Sequence, residues 1–275
     1  MTATTVVADD RAPFSWLRVR TVVRRHGYVL FRSPHRWFDI AFWPVFDVLL
    51  WGSLGAFVAQ QNNTSQATTP YLLAGIMLFH VLFQSQIAVA TGFMEETWTR
   101  NILNVMTTPL REVEYVVGLA VMGLIKLVAA MGTVSITAFA FYRFGLGEVG
   151  WGLVPIIGIL LLVGWSTSML VIGLLLRYGQ SAEILAWATT FTILAVSGVF
   201  NPVESIPGPI QPIAKLLPTT YAFKASRDLL DGGPIPWADL GWATLGALVL
   251  AALSMVYVLR MLRTFKTRGY VTRYS

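Results

Sequence analysis

The 275-residue chain contains no cysteine, which excludes disulfides, thiol catalysis and cysteine metal sites. Its three histidines, His26, His35 and His80, are too few and too scattered to predict a metal site. Charged residues are also scarce, at 12% against about 25% in an ordinary soluble domain, whereas hydrophobic residues make up 55%. The mean hydropathy is +0.63. With several long apolar stretches, this balance predicts an all-α polytopic membrane protein.

Catalytic motifs are missing as well. The nearest approach to a phosphate-binding loop, between Gly118 and Lys126, has its lysine two places late and lies inside an apolar stretch. The sequence GWSTS at 164–168 lacks the closing glycine of a hydrolase G-x-S-x-G turn, and no H-E-x-x-H zinc motif occurs. We therefore predict that the chain is not an enzyme, holds no cofactor or metal of its own, and binds no nucleic acid.

Long apolar stretches are what the sequence does contain. Six of them are long enough to cross about 30 Å of hydrocarbon as helices that rise about 1.5 Å per residue. They run approximately over residues 38–59, 71–93, 114–142, 152–176, 183–200 and 240–261. The sequence therefore predicts six transmembrane helices, of which the fifth is short.

The placement of lysine and arginine orients these spans. Fifteen of the 20 basic residues fall in the N-terminal segment, the connectors after the second and fourth spans, and the C-terminal tail. Excess basic charge marks the cytoplasmic side, so we expect both termini there, in a multi-pass protein of the inner membrane. The predicted units are a cytoplasmic tail with an interface helix (1–37), a transmembrane domain (38–263) and a basic tail (264–275). Residues 1–37 show no cleavable signal peptide.

A basic amphipathic helix precedes the first span. Trp16, Val19 and Val23 share one helical face, while Arg11, Arg18 and Arg25, spaced by sevens, lie on another. This pattern is typical of a helix lying in the membrane interface, attracted to anionic membrane lipid. It is explained either by a simple topology anchor or by a helix that also contacts a cytoplasmic partner.

The connector after the second span predicts a second short helix, over about 95–109. Glu95 and Glu96 would stand in its first turn, where acidic residues favour the helix dipole. The pair Thr108 and Pro109 would end it, because the residue before proline avoids the α conformation. An apolar-faced helix with a defined end indicates a surface that docks something.

Two ionisable residues, Asp47 and Lys126, lie near the middle of predicted spans. A charge at that depth costs at least about 2.5 kcal/mol, so such residues normally find a partner. We hypothesise that the two approach each other, either to fix packing or as part of a transport route. Tryptophans near the span ends are typical of an interfacial belt, although some in the first span could line a pathway.

The stretch 201–221 holds five of the thirteen prolines. Because proline is favoured in the first turn of a helix, the spacing predicts two short, broken helices. Ile210, Ile213, Leu216 and Leu217 recur at three- and four-residue intervals, as on a helix that packs one face. The charge asymmetry places this element on the outer side of the membrane.

Two segments resemble one family. TRNILNVMTTPLREVEYVVG at 99–118 is similar to the TL-x-x-LL-x-TPL-x-x-x-E-x-x-x-G pattern of ABC-2-type permeases, the membrane subunits of ATP-binding-cassette exporters. SGVFNPVESIPGPIQPIAKLLPTTYAFKASRDLLDGG at 197–233 resembles their G-x-F-x-P-V, proline-punctuated, LP-x-TY signature. The resemblance covers essentially the whole chain. It implies a permease dimer, expected to be a homodimer, docked on a separate ATPase subunit that holds ATP and Mg.

The resemblance also implies roles for named residues. The connector and the N-terminal helix would contact the ATPase, and a re-entrant hairpin over about 200–230 would close the exit. The ATPase-coupling residues would be Glu95, Glu96, Arg100, Leu103, Met106, Thr108 and Pro109. The external gate would comprise Pro202, Glu204, Pro207, Pro209, Pro218, Tyr221 and Arg227.

The expected function is export of a lipid, a lipid-linked glycan or a hydrophobic drug from the cytoplasmic side outward. The alternative is a stand-alone secondary transporter or channel. That alternative would be favoured by inverted internal repeats or by a chain of intramembrane acids, but the sequence has no evident repeat and Asp47 is its one acid deep in a span.

Overall fold

A computed structural model describes residues 13–61, 68–99, 101, 104–105 and 107–268 of the chain. Within these residues the regular structure is helical. The α-helices are α1 Trp16–Phe31, α2 Pro34–Gln61, α3 Thr68–Trp98, α4 Glu112–Tyr142, α5 Leu153–Tyr178, α6 Ile184–Val196, α7 Gln211–Leu216, α8 Pro218–Leu230 and α9 Trp237–Arg268. Short 3-10 helices occupy Leu146–Gly152, Gln180–Glu183, Val203–Ser205 and Gly208–Ile210.

Five helices, α2 to α5 and α9, are long and apolar enough to cross a membrane. They coincide with the first four and the last of the predicted spans, and each contains nearly all of its predicted stretch. The agreement follows from the length of the apolar windows, since helices of 26 to 32 residues exceed the roughly 20 residues that the hydrocarbon core requires.

The fifth predicted span is shorter than expected. Helix α6 has 13 residues, about 20 Å of helix, which falls short of the ~30 Å of hydrocarbon. It ends at Val196 because Gly198 takes a left-handed conformation, with φ of +66°, and turns the chain toward Pro202. Six complete spans therefore remain a prediction.

Helix α3 is the centre of the bundle. Eighty-three per cent of its most apolar window is buried inside the protein, compared with 28% for α2 and 22% for α9. It packs against α2, α4 and α5, and α5 packs in turn against α9. Close approach of α3 and α5 depends on Gly164, where an added Cβ would lie 1.8 Å from Ser85 Oγ. Small residues at such contacts are typical of membrane helices.

The packing also shows which helix ends lie together. One apolar cluster joins Val22 of α1 to the start of α4 and the start of α6. It also includes Leu262, in the C-terminal half of α9. A second cluster at the opposite end joins the starts of α5 and α9 to α8. We call these the α1 end and the α8 end. Helix α6 begins at the α1 end with Ala186 and approaches the α8 end with Ile193. The start and the finish of the described chain therefore lie at the same end.

Helix α1 forms where the basic amphipathic helix was predicted, but its buried face is different. Val19, Val22, His26 and Leu30 are buried, whereas Trp16 is 68% exposed. Trp16 does not pack in the protein core, and its place in the membrane interface stays a prediction. Arginine–glutamate contacts with α3 and α4, described below, set the rotation of the helix about its axis.

Candidate coupling and gating sites

The first turn of α4 carries a fully buried carboxylate, that of Glu114. The Arg18 guanidinium donates to both oxygens, with Nε 2.7 Å from Oε2 and Nη2 2.7 Å from Oε1. The backbone N–H groups of Ser15 and Arg111 donate to the same carboxylate, at 2.8 and 3.1 Å. These hydrogen bonds fasten the start of α1 to the start of α4, and the bidentate arginine–carboxylate geometry is stronger than a single contact.

Glu95 and Glu96 lie in the last turn of α3 rather than in the first turn of a connector helix. The predicted helix start was therefore wrong, because the apolar pattern of α3 continues in helical register through Met94. Acidic side chains there face the negative end of the helix dipole. Basic residues compensate: Arg36 pairs with Glu95, and Arg25 Nη2 lies 2.6 Å from Glu96 Oε2.

Glu96 is a junction of three segments. Its carboxylate is 3% exposed and accepts hydrogen bonds from Arg25 of α1 and from Asn101 Nδ2 of the connector, the latter at 2.7 Å. The buried His26 ring lies beside it, with Nε2 3.6 Å from Glu96 Oε1. Burial lowers the pKa of His26, and the charge of Glu96 opposes that shift in part.

The described part of the connector is anchored at Val105, which is 7% exposed and packs in the core cluster of the α1 end. Its N–H donates to Asn101 O at 3.1 Å, a helical turn, and the Thr108 hydroxyl donates to Val105 O at 2.6 Å. Thr107, Thr108 and Pro109 are exposed. The connector therefore has a buried anchor and an exposed edge. Arg100, Leu103 and Met106, which we also predicted to couple, lie outside the described residues.

The proline-rich segment at the α8 end consists of four short helices rather than the two predicted. Prolines stand at or next to their starts: Pro202 caps the first, Pro207 precedes the second, and Pro209 lies inside it. Pro218 is the first residue of α8. Proline suits these positions because the first turn of a helix has no use for its missing N–H.

Hydrogen bonds fold this segment onto itself. The hydroxyl groups of Thr220 and Tyr221 donate to the carbonyls of Ala214 and Lys215, at 2.6 and 2.9 Å. The Ser197 and Thr219 hydroxyls lie 2.6 Å apart in the buried interior. The Arg227 guanidinium donates to Gly198 O, which ties α8 to the turn after α6. The segment is therefore a compact unit and not an open loop.

A cleft of about 610 Å³ opens beside this unit. Three acidic and three basic side chains line it together with aromatic and small residues: Tyr71, Phe200, Pro202, Val203, Glu204, Lys215, Thr220, Tyr221, Lys224, Arg227, Asp228 and Asp231. The structure thus brings together four predicted gate residues, Pro202, Glu204, Tyr221 and Arg227, at one cleft. Pro207, Pro209 and Pro218 do not line it.

The hypothesised Asp47–Lys126 pair does not form. Asp47 Oδ2 instead lies 3.1 Å from Nε2 of the buried His80, on the side of α2 that faces α3. The charged neighbours of Lys126 are Glu95 and Arg36, toward the α1 end. The prediction was wrong because it rested on depth alone. Both residues lie near the middle of a span, but depth does not tell which faces of the two helices meet.

Several of these residues had no place in the predicted sites. Glu114, Arg18 and Arg25 carry the contacts of α1, and the seven-residue spacing of the two arginines was the available signal, since it puts them on one side of a helix. His80 could have been recognised as an ionisable residue in the middle of an apolar span. In none of these cases does sequence spacing reveal the partner.

Comparison with protein-family models gives a match to the ABC-2 type transporter family over residues 20–230, more than half of the chain. Comparison with curated proteins gives no match. The matched region extends from α1 through the connector to the end of α8. It therefore contains both ends of the bundle described above. The chain belongs to the ABC-2 type transporter family, the multi-pass membrane permease components of ABC transporters.

Proposed function

We propose that this permease couples ATP hydrolysis by a separate ABC ATPase to export, and that two copies of the chain form the transporter as a homodimer. ATP and Mg would bind the ATPase partner. The observation that carries the proposal is the junction at Glu96, where α1, the end of α3 and the connector meet through Arg25 and Asn101. A partner that moves the exposed edge of the connector would move all three.

The coupling route begins at Thr107, Thr108 and Pro109, which are exposed, and passes inward through Val105, which is packed in the core. From the junction it reaches α4 through α1, since Arg18 of the same helix holds Glu114. Glu96 is buried, so in this proposal it transmits movement and does not itself contact the ATPase. Thr108 and Pro109 set the boundary between the connector and α4.

We assign the α8 end to an external gate. Its hydrogen bonds fold 197–227 into a unit of its own, and such irregular backbone at membrane depth is tolerated where it packs on protein or faces water. This arrangement supports a re-entrant element that closes the exit. The α1 end, with its basic residues, would then face the cytoplasm, and α6 with its flanking residues would complete the sixth span.

The substrate class is a lipid, a lipid-linked glycan or a hydrophobic drug, carried outward across the inner membrane. An apolar surface with aromatic side chains on α2, of which Phe38 and Phe42 stack at 4.7 Å, supports an amphipathic cargo. The alternative, a stand-alone secondary transporter or channel, would need an ion-coupling chain of acids. In the described spans, Asp47 is the acidic residue near mid-helix.

Cysteine cross-linking tests the proposal directly, because the chain has no native cysteine to remove. The full chain carrying Thr107→Cys is co-expressed with its ATPase and treated with a maleimide–succinimide cross-linker. We expect a covalent permease–ATPase product. The matched control is Leu216→Cys, which is 84% exposed at the α8 end and should give none.

The reverse pattern, with a product from Leu216→Cys alone, would show that the ATPase docks at the α8 end and would reject both the orientation and the coupling assignment. Absence of any product, together with transport by the chain reconstituted alone, would favour the stand-alone transporter.

A further inference from the structure

The contact between Asp47 and His80 is the most unusual polar feature of the membrane-spanning region. Each residue lies near the middle of a long apolar helix, α2 and α3 respectively. The His80 side chain is 1% exposed, and neither of its ring nitrogens makes a hydrogen bond. Asp47 Oδ2 lies 3.1 Å from Nε2, within ion-pair distance but not aligned for a hydrogen bond. The carboxylate is thus only partly satisfied by its neighbour.

The same carboxylate is not sealed inside the protein. The Asp47 side chain is 28% exposed. On the helix, Trp43 lies four residues before it and Leu50 three residues after it, which places them on the same side. Both are about half exposed. An acidic group that reaches the surface at hydrocarbon depth is costly unless water, protein or a ligand meets it. The exposed edge of Asp47 therefore requires an occupant.

Aromatic side chains lie near the Asp47–His80 pair on both helices. On α2, Trp43 and Phe46 make an edge contact at 6.4 Å. On α3, Phe83 contacts the His80 ring edge-on at 5.9 Å and reaches Trp187 of α6 at 6.1 Å. Trp43, Phe46 and Trp187 are between 41% and 52% exposed. A carboxylate among half-exposed aromatic faces combines the two features that bind an organic cation, an opposite charge and cation–π contacts.

We propose that Asp47, positioned by His80, is a binding site for the cationic head group of an amphiphile, with Trp43 and Phe46 contacting that group. Charge complementarity selects this occupant, because the described residues place one basic side chain, the poorly aligned His80, within ion-pair distance of Asp47. The inference names a substrate class for the proposed exporter and rests on that function only for the transport step. Binding itself requires neither ATP nor the ATPase.

Two ions of matched size and opposite charge provide the test. Binding of radiolabelled tetraphenylphosphonium and of tetraphenylborate is measured on the full chain in phosphatidylcholine nanodiscs, with empty nanodiscs subtracted. We expect saturable binding of the cation and none of the anion. Asp47→Asn should weaken cation binding at least about tenfold, the effect of removing one partner of a close charge pair. Asp47→Glu, which keeps the charge, should retain most of it.

The control variant is Glu183→Gln, which makes the same acid-to-amide change at a residue that contacts the Trp98 indole outside this site. It should bind the cation like the wild type. Size-exclusion profiles of all variants establish that they fold and report their oligomeric state. Dodecyltrimethylammonium should displace the bound cation, whereas the neutral dodecyl maltoside should not.

Three results would overturn the proposal. Equal cation binding by the wild type and Asp47→Asn would place the cation elsewhere. Displacement by dodecyl maltoside as effective as by the ammonium would mean that the shared dodecyl chain is recognised and the positive charge is not. A change in oligomeric state for Asp47→Asn with unchanged cation binding would make Asp47 a contact between two copies. None of these results bears on ATPase docking, which the cross-linking experiment tests separately.

Discussion

The two ends of the bundle are held together in different ways. At the α1 end, ion pairs join residues that are far apart in the chain, such as Arg18 with Glu114 and Arg25 with Glu96. At the α8 end, hydrogen bonds join residues of one segment, from Thr220 with the carbonyl of Ala214, six residues apart, to Arg227 with the carbonyl of Gly198, 29 residues apart. We expect the first arrangement to make α1, α3 and α4 move together. The second gathers residues 197–227 into one local unit, which packs on α5 and α9 through the buried face of α8.

This difference fits the division of labour that we propose. A coupling site must pass a displacement from a partner to more than one helix, and contacts between distant segments do so. A gate must open while the bundle stays intact, which local contacts permit. Single substitutions at either end should disturb one arrangement and leave the other, and the expected effects differ in size.

The largest effect is expected for Glu114→Ala. The change removes the acceptor of Arg18 and of two backbone N–H groups, from Ser15 and Arg111. We expect the unfolding free energy to fall by about 2 kcal/mol, because buried donors lose a charged acceptor. The measurements are the melting temperature in detergent and the rate of tryptic cleavage in α1, which should rise.

The control for that variant is Glu183→Gln, an acidic residue with a single long hydrogen bond from the Trp98 indole, at 3.3 Å. It should leave both measurements unchanged. If Glu114→Ala melted at the wild-type temperature and α1 stayed protected, the ion pairs would not be what holds α1 in place, and the contrast between the two ends would be lost.

A smaller effect is expected for Gly198→Ala at the α8 end. Gly198 has a φ of +66°, and an added Cβ would lie 3.0 Å from Asn201 O. The left-handed conformation costs an alanine roughly 1–2 kcal/mol, so the turn between α6 and the gate should loosen. We expect faster passive leak of carboxyfluorescein from proteoliposomes, with little change in trypsin cleavage of α1.

Gly208→Ala is the matched control, because an added Cβ there would meet no atom within 4 Å. It should not raise the leak. Equal leak from the two variants, whether raised or unchanged, would argue against a role for the Gly198 turn in sealing the exit.

The sequence predicted the helices well and the contacts poorly, for a physical reason. Helix length follows from the number of apolar residues in a row, so α2 to α5 and α9 could be placed from the chain alone. The short α6 could not, because its end depends on one glycine conformation. The partners of Asp47 and Glu96 could not either, because side chains meet according to helix rotation, and the ion pairs that set that rotation join residues far apart in the chain.

The smallest effect concerns pH at the α1 end. Burial lowers the pKa of His26 below its value of about 6.5 in an unfolded chain, so near that pH the folded protein binds fewer protons than the unfolded one. The free energy of unfolding should therefore rise with pH. It should reach its full value above about pH 6.5 and decline as the pH falls toward 5. His26→Gln should reduce the change in melting temperature between pH 7 and 5. His35 is exposed, and His35→Gln should leave that change as in the wild type. The same slope in all three proteins would mean that the pH response of the α1 end does not arise at the Glu96 junction.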